Sequence, residues 1–325
     1  MCARTTVAAV STALAAGLII AAPVSAVPAF TVSGTRTFHP PPYPEQLLPG
    51  YFTGDTVTNI VYPAALFGMD VSVAVAAAGI ERAVADTAGP VVIGGFSQGA
   101  IAVTYAMRAL MARPADERPA PDRLTFVTVG DPPTPGGILR VIDSVGPVLE
   151  LTPVAMPDTP YATVIVNGEY DGWGDFPDRP WNLVSLANAL LGTLYVHGGY
   201  EVIAGGLDLS AVPAANISTA VNSLGGTTTT YLIPTPKLPL LQPLRDIGVP
   251  EEFVASLEAP LRAIVDAGYA RNDPPPGSPA AAEPENIPQR TAAPSAKPAQ
   301  MHRGAAAARP SVKHSSRQRG VATAP

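Results

Sequence analysis

A single cysteine, Cys2, stands in 325 residues, so no intrachain disulfide holds this chain together and stability has to come from an apolar core. Histidine is almost as scarce. Of four, His302 and His314 lie in a proline-rich C-terminal stretch, which leaves His39 and His197 for chemistry. With so few imidazoles and thiols, and no H-E-x-x-H, no metal site is expected. No G-x-G-x-x-G occurs and no lysine follows the glycines of residues 94–99, so no phosphate-bearing cofactor is expected either. Basic residues are outnumbered, 20 Lys and Arg against 26 Asp and Glu, for a formal net charge of −6, which argues against a nucleic-acid partner. Beyond the first 26 residues no apolar run approaches the roughly 18 residues that a membrane span needs.

What is present divides the chain in three. Residues 1–26 read as an export signal: Arg4, an apolar stretch from Val7 to Ala22, then Pro23-Val24-Ser25-Ala26 as a small-residue cleavage site. Export implies a secreted or cell-envelope protein, with the segment either cleaved or kept as an anchor. Cys2 precedes the apolar stretch, away from the place of a lipidated cysteine. Residues 27–272 read as one α/β domain. Strand-like runs (30–34, 58–62, 91–95, 124–129, 162–167) alternate with helix-like runs such as 71–88 and 98–111, the pattern of a mainly parallel sheet with helices on both faces. After residue 200 the text turns small, apolar and rich in proline, and 251–269 reads as an amphipathic helix with Phe253, Leu257, Leu261, Ile264 and Val265 on one face. Residues 200–270 are read as a cap beside the active site, or as the remainder of the core. The last stretch, 273–325, holds ten of the 38 prolines and no Phe, Trp or Tyr, the composition of a disordered tail. Its seven Lys and Arg against three Asp and Glu make it basic, suited to solubilising the chain or touching anionic envelope lipids.

The chemistry begins at Gly95-Phe96-Ser97-Gln98-Gly99. An apolar run, Val91 to Gly94, precedes it and a helix-like run follows, the strand–turn–helix context of a nucleophile elbow. Gly95 and Gly99 flank Ser97 because side chains there collide with the elements that close the turn. A serine hydroxyl needs a base to take its proton. In such folds the order is serine, acid, histidine, so His197, in Tyr195-Val196-His197-Gly198, is the expected base, and His39, before three prolines, a loop residue. The acid is sought at the end of the strand 162–167. Asp171 comes first after it and is preferred; Asp175 is the alternative. Asp131, after the run 124–129, is a weaker competitor. The N–H of Gln98 and one from the Gly34-Thr35-Arg36 loop, Thr35 or Arg36, are expected to receive the oxyanion.

With those residues in place, the chain resembles the PE-PPE domain family of actinobacterial envelope proteins, serine α/β-hydrolases related to cutinases. The likeness covers about 30–272 and rests on Gly34-Thr35, the Gly95–Gly99 elbow, Gly130-Asp131-Pro132 with Gly136-Gly137, Glu169 through Pro177 (EYDGWGDFP), Asn188 through Gly192, Tyr195 through Gly198, and Leu232 through Leu241. It implies Ser97 as nucleophile, Asp171 as acid and His197 as base. Many relatives begin with a PE or PPE helical module; a leader-like segment stands in that place here, which sets aside the export route and partners tied to those modules. The expected activity is hydrolysis of an acyl ester of a lipid or glycolipid. Transfer of the acyl group to another glycolipid, and non-catalytic envelope binding, are the rivals.

Overall fold

The computed structural model describes residues 26–37, 40–141, 149–202 and 206–274. The chain divides into two units, Met1–Asp273 and Pro274–Pro325, and apart from Pro274 the described residues belong to the first. The expected leader and tail lie outside the described residues except for Ala26, Asp273 and Pro274; so does His39.

Among the described residues, seven strands form one sheet in the order β2-β1-β3-β4-β5-β7-β6. They are β1 (Pro28–Val32), β2 (Thr56–Asn59), β3 (Val91–Phe96), β4 (Leu124–Val129), β5 (Ala162–Gly168), β6 (Ile217–Val221) and β7 (Thr227–Ile233). Every pairing is parallel except β6 with β7. The central strands β3 and β4 are buried on both faces, which is why they read as continuous Val, Ile and Phe runs. The pleat sends Ile93, Leu124 and Phe126 into one core and Val127, Val129 and Phe96 into another. Over the first lie α2 (Met69–Asp86) and α3 (Gln98–Ala112), with Val73, Ala76, Ile80 and Val84 of α2 buried at helical spacing. Over the second lie α1 (Pro44–Leu47) and irregular chain around Leu48, Phe52, Tyr200 and Leu207.

Several boundaries differ from the reading of the sequence. The strand expected at 58–62 ends at Asn59, because Tyr62 turns inward and its hydroxyl donates to the carbonyls of Ser33 and Gly34. The strand expected at 30–34 leaves the sheet at Ser33, which carries Gly34 beneath Phe96 and Ser97.

The stretch read as a cap is sheet edge and flank. Residues 217–233 supply β6 and β7, and β7 extends the sheet because Thr228-Thr229-Thr230 and Tyr231-Leu232-Ile233 pair in register with β5. Residues 234–270 form α5 (Gln242–Asp246) and α6 (Glu251–Asp266), which pack with α4 (Leu183–Gly192) around Leu238, Leu241, Val254 and Val265. The buried stripe of α6 is Val254, Leu257, Leu261 and Val265. Phe253 (57% exposed) and Ile264 (46% exposed) sit about 100° round the helix from Val254 and face outward. Among the described residues no helix is long and apolar enough to cross a membrane.

Phe126 is fully buried and meets Tyr161 edge-on at 5.7 Å between centroids. Phe126→Ala should cost about 3–5 kcal/mol in urea unfolding, whereas Phe253→Ala should change stability by no more than about 0.5 kcal/mol.

Candidate active site

The elbow sits at the C-terminal end of β3. Ser97 has φ 54° and ψ −114°, a conformation that side-chain-bearing residues seldom adopt, and its N–H donates to the Val129 carbonyl of the neighbouring strand. The glycines on either side are required by space. A Cβ on Gly95 meets the backbone of Gly99, and one on Gly99 meets the Val32 and Ser33 carbonyls. Gly34 is similarly confined: a Cβ added there would lie 2.9 Å from the Phe96 ring and 3.3 Å from Ser97 Cβ.

His197 arrives from a different direction. After α4 the helix widens into a π-helical turn, Thr193–His197, and this delivers the imidazole over β3 and β4. The ring lies nearly parallel to Phe96, centroids 5.5 Å apart, and is largely buried. Its Nε2 is 2.9 Å from Ser97 Oγ. Its Nδ1 is 3.0 and 2.9 Å from the two oxygens of Asp171. A carboxylate only accepts, so Nδ1 carries the proton and Nε2 is the free base facing the hydroxyl.

Asp171 is fully buried at the turn after β5. Besides His197 it accepts from the Trp173 N–H at 2.8 Å and from the Tyr200 hydroxyl at 3.0 Å. The same hydroxyl takes the N–H of Gly168, so Tyr200 ties the acid to the strand that carries it. Burial, and next the charge of Asp171, push the Tyr200 hydroxyl well above its ordinary pKa, so it remains a donor. Nothing in the sequence around Tyr200 announces this contact.

The alternative acid, Asp175, does not touch His197. Its Oδ2 accepts the Tyr170 N–H at 2.7 Å and its Oδ1 the guanidinium of Arg271 at 2.7 Å. Asp131 is likewise occupied elsewhere: Oδ2 accepts from Thr128 Oγ at 2.7 Å, and Oδ1 has no partner among the described residues.

The oxyanion donors separate too. The Arg36 N–H is spent on the Ala64 carbonyl at 2.7 Å, which removes it. Thr35 lines the cavity with Ser97 and Gln98. Gln98 opens α3, so its N–H has no carbonyl within the helix. Its side chain is buried and held, Oε1 by Ser72 Oγ at 3.1 Å and Nε2 on the Ala65 carbonyl at 2.8 Å. Beside Ser97 opens a cavity of about 320 Å³, walled by Leu66, Met69, Ile101, Leu149, Trp173 and Leu194. No residue of 206–270 lines it. Such an arrangement is able to move a proton from a hydroxyl to an imidazole beside a slot for an apolar group.

Residues 42–270 match the family description "PE-PPE domain". The chain belongs to the PE-PPE domain family. It is similar to "Esterase PE16" of Mycobacterium tuberculosis, 45% identical over 56% of this chain and 34% of that protein. It is 36% identical to "Diacyltrehalose acyltransferase Chp2" of the same organism, over 60% of this chain and 55% of the relative. An "Uncharacterized PPE family protein PPE63", also mycobacterial, is 40% identical over 57% of this chain and 37% of its own length. The chain thus spans between about a quarter and just over half of the length of the curated relatives it matches. Within the PE-PPE domain Ser97 follows β3 and Asp171 follows β5, and the π-helical turn Thr193–His197 brings the imidazole between them.

Two outcomes follow from this PE-PPE geometry. Tyr200→Phe removes a donor to a buried carboxylate and should slow fluorophosphonate labelling of Ser97 roughly ten-fold, with little change in fold by circular dichroism. Asp131 is pushed up to about 7 by burial, against the lowering effect of Thr128. The folded state therefore binds this proton more tightly than the unfolded state. Through this group stability falls as pH rises from about 4 to about 7, by at most about 1.4 kcal/mol per unit. Asp131→Asn should lose that slope, so its Tm relative to the unmodified chain should be better at pH 8 than at pH 5.

Proposed function

We propose that this chain is an exported serine ester hydrolase acting on acyl esters of lipids or glycolipids. The observation that carries the reading is the unbroken contact from Ser97 Oγ to His197 Nε2 and from Nδ1 to Asp171, beside an apolar cavity. In the first half-reaction Ser97 Oγ attacks the ester carbonyl while His197 takes the hydroxyl proton. Asp171 keeps the imidazole in the required tautomer and stabilises its charged form. Backbone N–H groups of Gln98 and Thr35 receive the negative charge on the carbonyl oxygen. His197 then returns the proton to the leaving alcohol, leaving the acyl group on Ser97. In the second half-reaction water attacks the acyl carbon while giving a proton to His197; the bond from that carbon to Ser97 Oγ breaks, the acid leaves, and His197 returns the proton to Ser97 Oγ.

An acyl-chain substrate is supported by the rim as well as the slot. Leu66 (40% exposed) and Leu194 (64% exposed) line the cavity and also face solvent. Phe67, next to Leu66 in the chain, and Leu190, four residues before Leu194, are exposed apolar side chains as well. Exposed apolar surface at the entrance favours approach to a lipid surface, and supports peripheral association with the cell envelope. The relative named as an esterase supports hydrolysis.

The relative named as a diacyltrehalose acyltransferase supports a second reading, in which a sugar hydroxyl replaces water in the second half-reaction. Both readings share Ser97. Ser97→Ala should lower hydrolysis of p-nitrophenyl acyl esters by roughly a thousand-fold or more, and equal activity in both forms rejects either reading. Incubation with an acylated trehalose then separates them. Free fatty acid alone favours hydrolysis, and products carrying more acyl chains favour transfer. A non-catalytic binding protein is left if Ser97 resists fluorophosphonates.

A further inference from the structure

Tyr170, immediately before Asp171, has φ 65°. A tyrosine in the left-handed region is strained and persists only where its surroundings over-determine it. Here they do. Its N–H donates to Asp175 Oδ2 at 2.7 Å, and the Asp175 N–H donates in turn to the Asp171 carbonyl at 2.7 Å. The Tyr170 hydroxyl donates to Asp266 at 2.6 Å and accepts from Arg262 at 2.9 Å, and its ring meets Tyr269 edge-on. Asp175 is therefore the pin of a tight turn around the carboxylate that faces His197.

The pin has a counter-charge from far along the chain. Arg271 Nη1 is 2.7 Å from Asp175 Oδ1, its other nitrogen is 3.8 Å from Glu169, and its guanidinium lies 4.1 Å over the Tyr269 ring. Asp175 is buried, and burial raises it to about 7 against the lowering effect of Arg271. Without that cation the carboxyl takes up a proton more readily, and a protonated carboxyl is a weaker acceptor for the Tyr170 N–H.

We propose that Arg271 is a positioning residue for the active site: paired with Asp175, it holds the turn that keeps the Asp171 carboxylate against His197. The proposal rests on the Ser97–His197–Asp171 reading. Asp175 thereby acts on the reaction through backbone geometry rather than by touching the imidazole.

The test compares Arg271→Ala and Arg271→Lys in the full chain. Two quantities are read: kcat and KM for a p-nitrophenyl acyl ester, and the low-field proton NMR resonance of His197 Nδ1–H. Arg271→Ala should lower kcat about ten-fold or more with KM little changed, and shift or broaden the resonance. Arg271→Lys should restore part of both. Arg113→Ala, which removes the remote pair with Glu81, should leave both as they were. If Arg271→Ala fails to fold, Arg271→Gln takes its place, and the same outcomes apply. A folded variant with unchanged kcat overturns the proposal. So does a lowered kcat with the resonance unmoved and lysine no better than alanine. The resonance reports the Asp171–His197 contact without needing Ser97, so a failure of the catalytic reading, seen as activity in Ser97→Ala, is distinguishable from a failure of this one.

Discussion

The carboxylate of Asp171 is the group around which the rest is organised. A fully buried charge is tolerable only when every side of it is answered by a donor. Three answer here: the His197 ring, the Tyr200 hydroxyl and the Trp173 N–H. They come from a π-helical turn, the turn after it and the acid's own loop, so the charge ties separate stretches of chain to one point. Withdrawing one donor leaves a charge that water cannot reach, and the cost exceeds that of a single lost hydrogen bond.

Strand order makes this convergence possible. β3, β4 and β5 lie side by side and parallel, so their C-terminal ends open onto one rim. The serine leaves β3, Gly130 passes under the imidazole after β4, and the carboxylate follows β5. Polar groups gather at that rim while the pleat keeps Val, Ile and Phe in the two cores beneath. The helices of 234–270 stand behind the rim, and Tyr170 and Tyr269 join them to the acid turn.

Much of this was legible in the residues. Buried parallel strands are written as unbroken β-branched runs, and the runs at 91–95, 124–129 and 162–167 lie within β3, β4 and β5. The scarcity of histidine pointed to His197, and chain order pointed to Asp171 before Asp175. The contacts of Tyr200 and Arg271 were not legible, because a partner 29 or 96 residues away leaves no local pattern. The threonine run of β7 was equally opaque. Its β propensity was plain, but only pairing with β5 distinguishes a sheet strand from a flap. On α6 the apolar residues cover too wide an arc to fix the buried face, which the packing against α4 decides.

Arg271 lies two residues from the end of the first unit, after every strand and helix of the sheet. Proteins are made from the amino terminus, and domains fold as their last segments emerge. A nascent chain halted between His197 and this arginine already possesses the hydroxyl, the imidazole and the carboxylate, yet lacks the cation that steadies the third. Ordering of the site is in this way tied to synthesis of the last residues of the first unit, and a protease that trims the domain back past Tyr269 reverses it without touching any of the three.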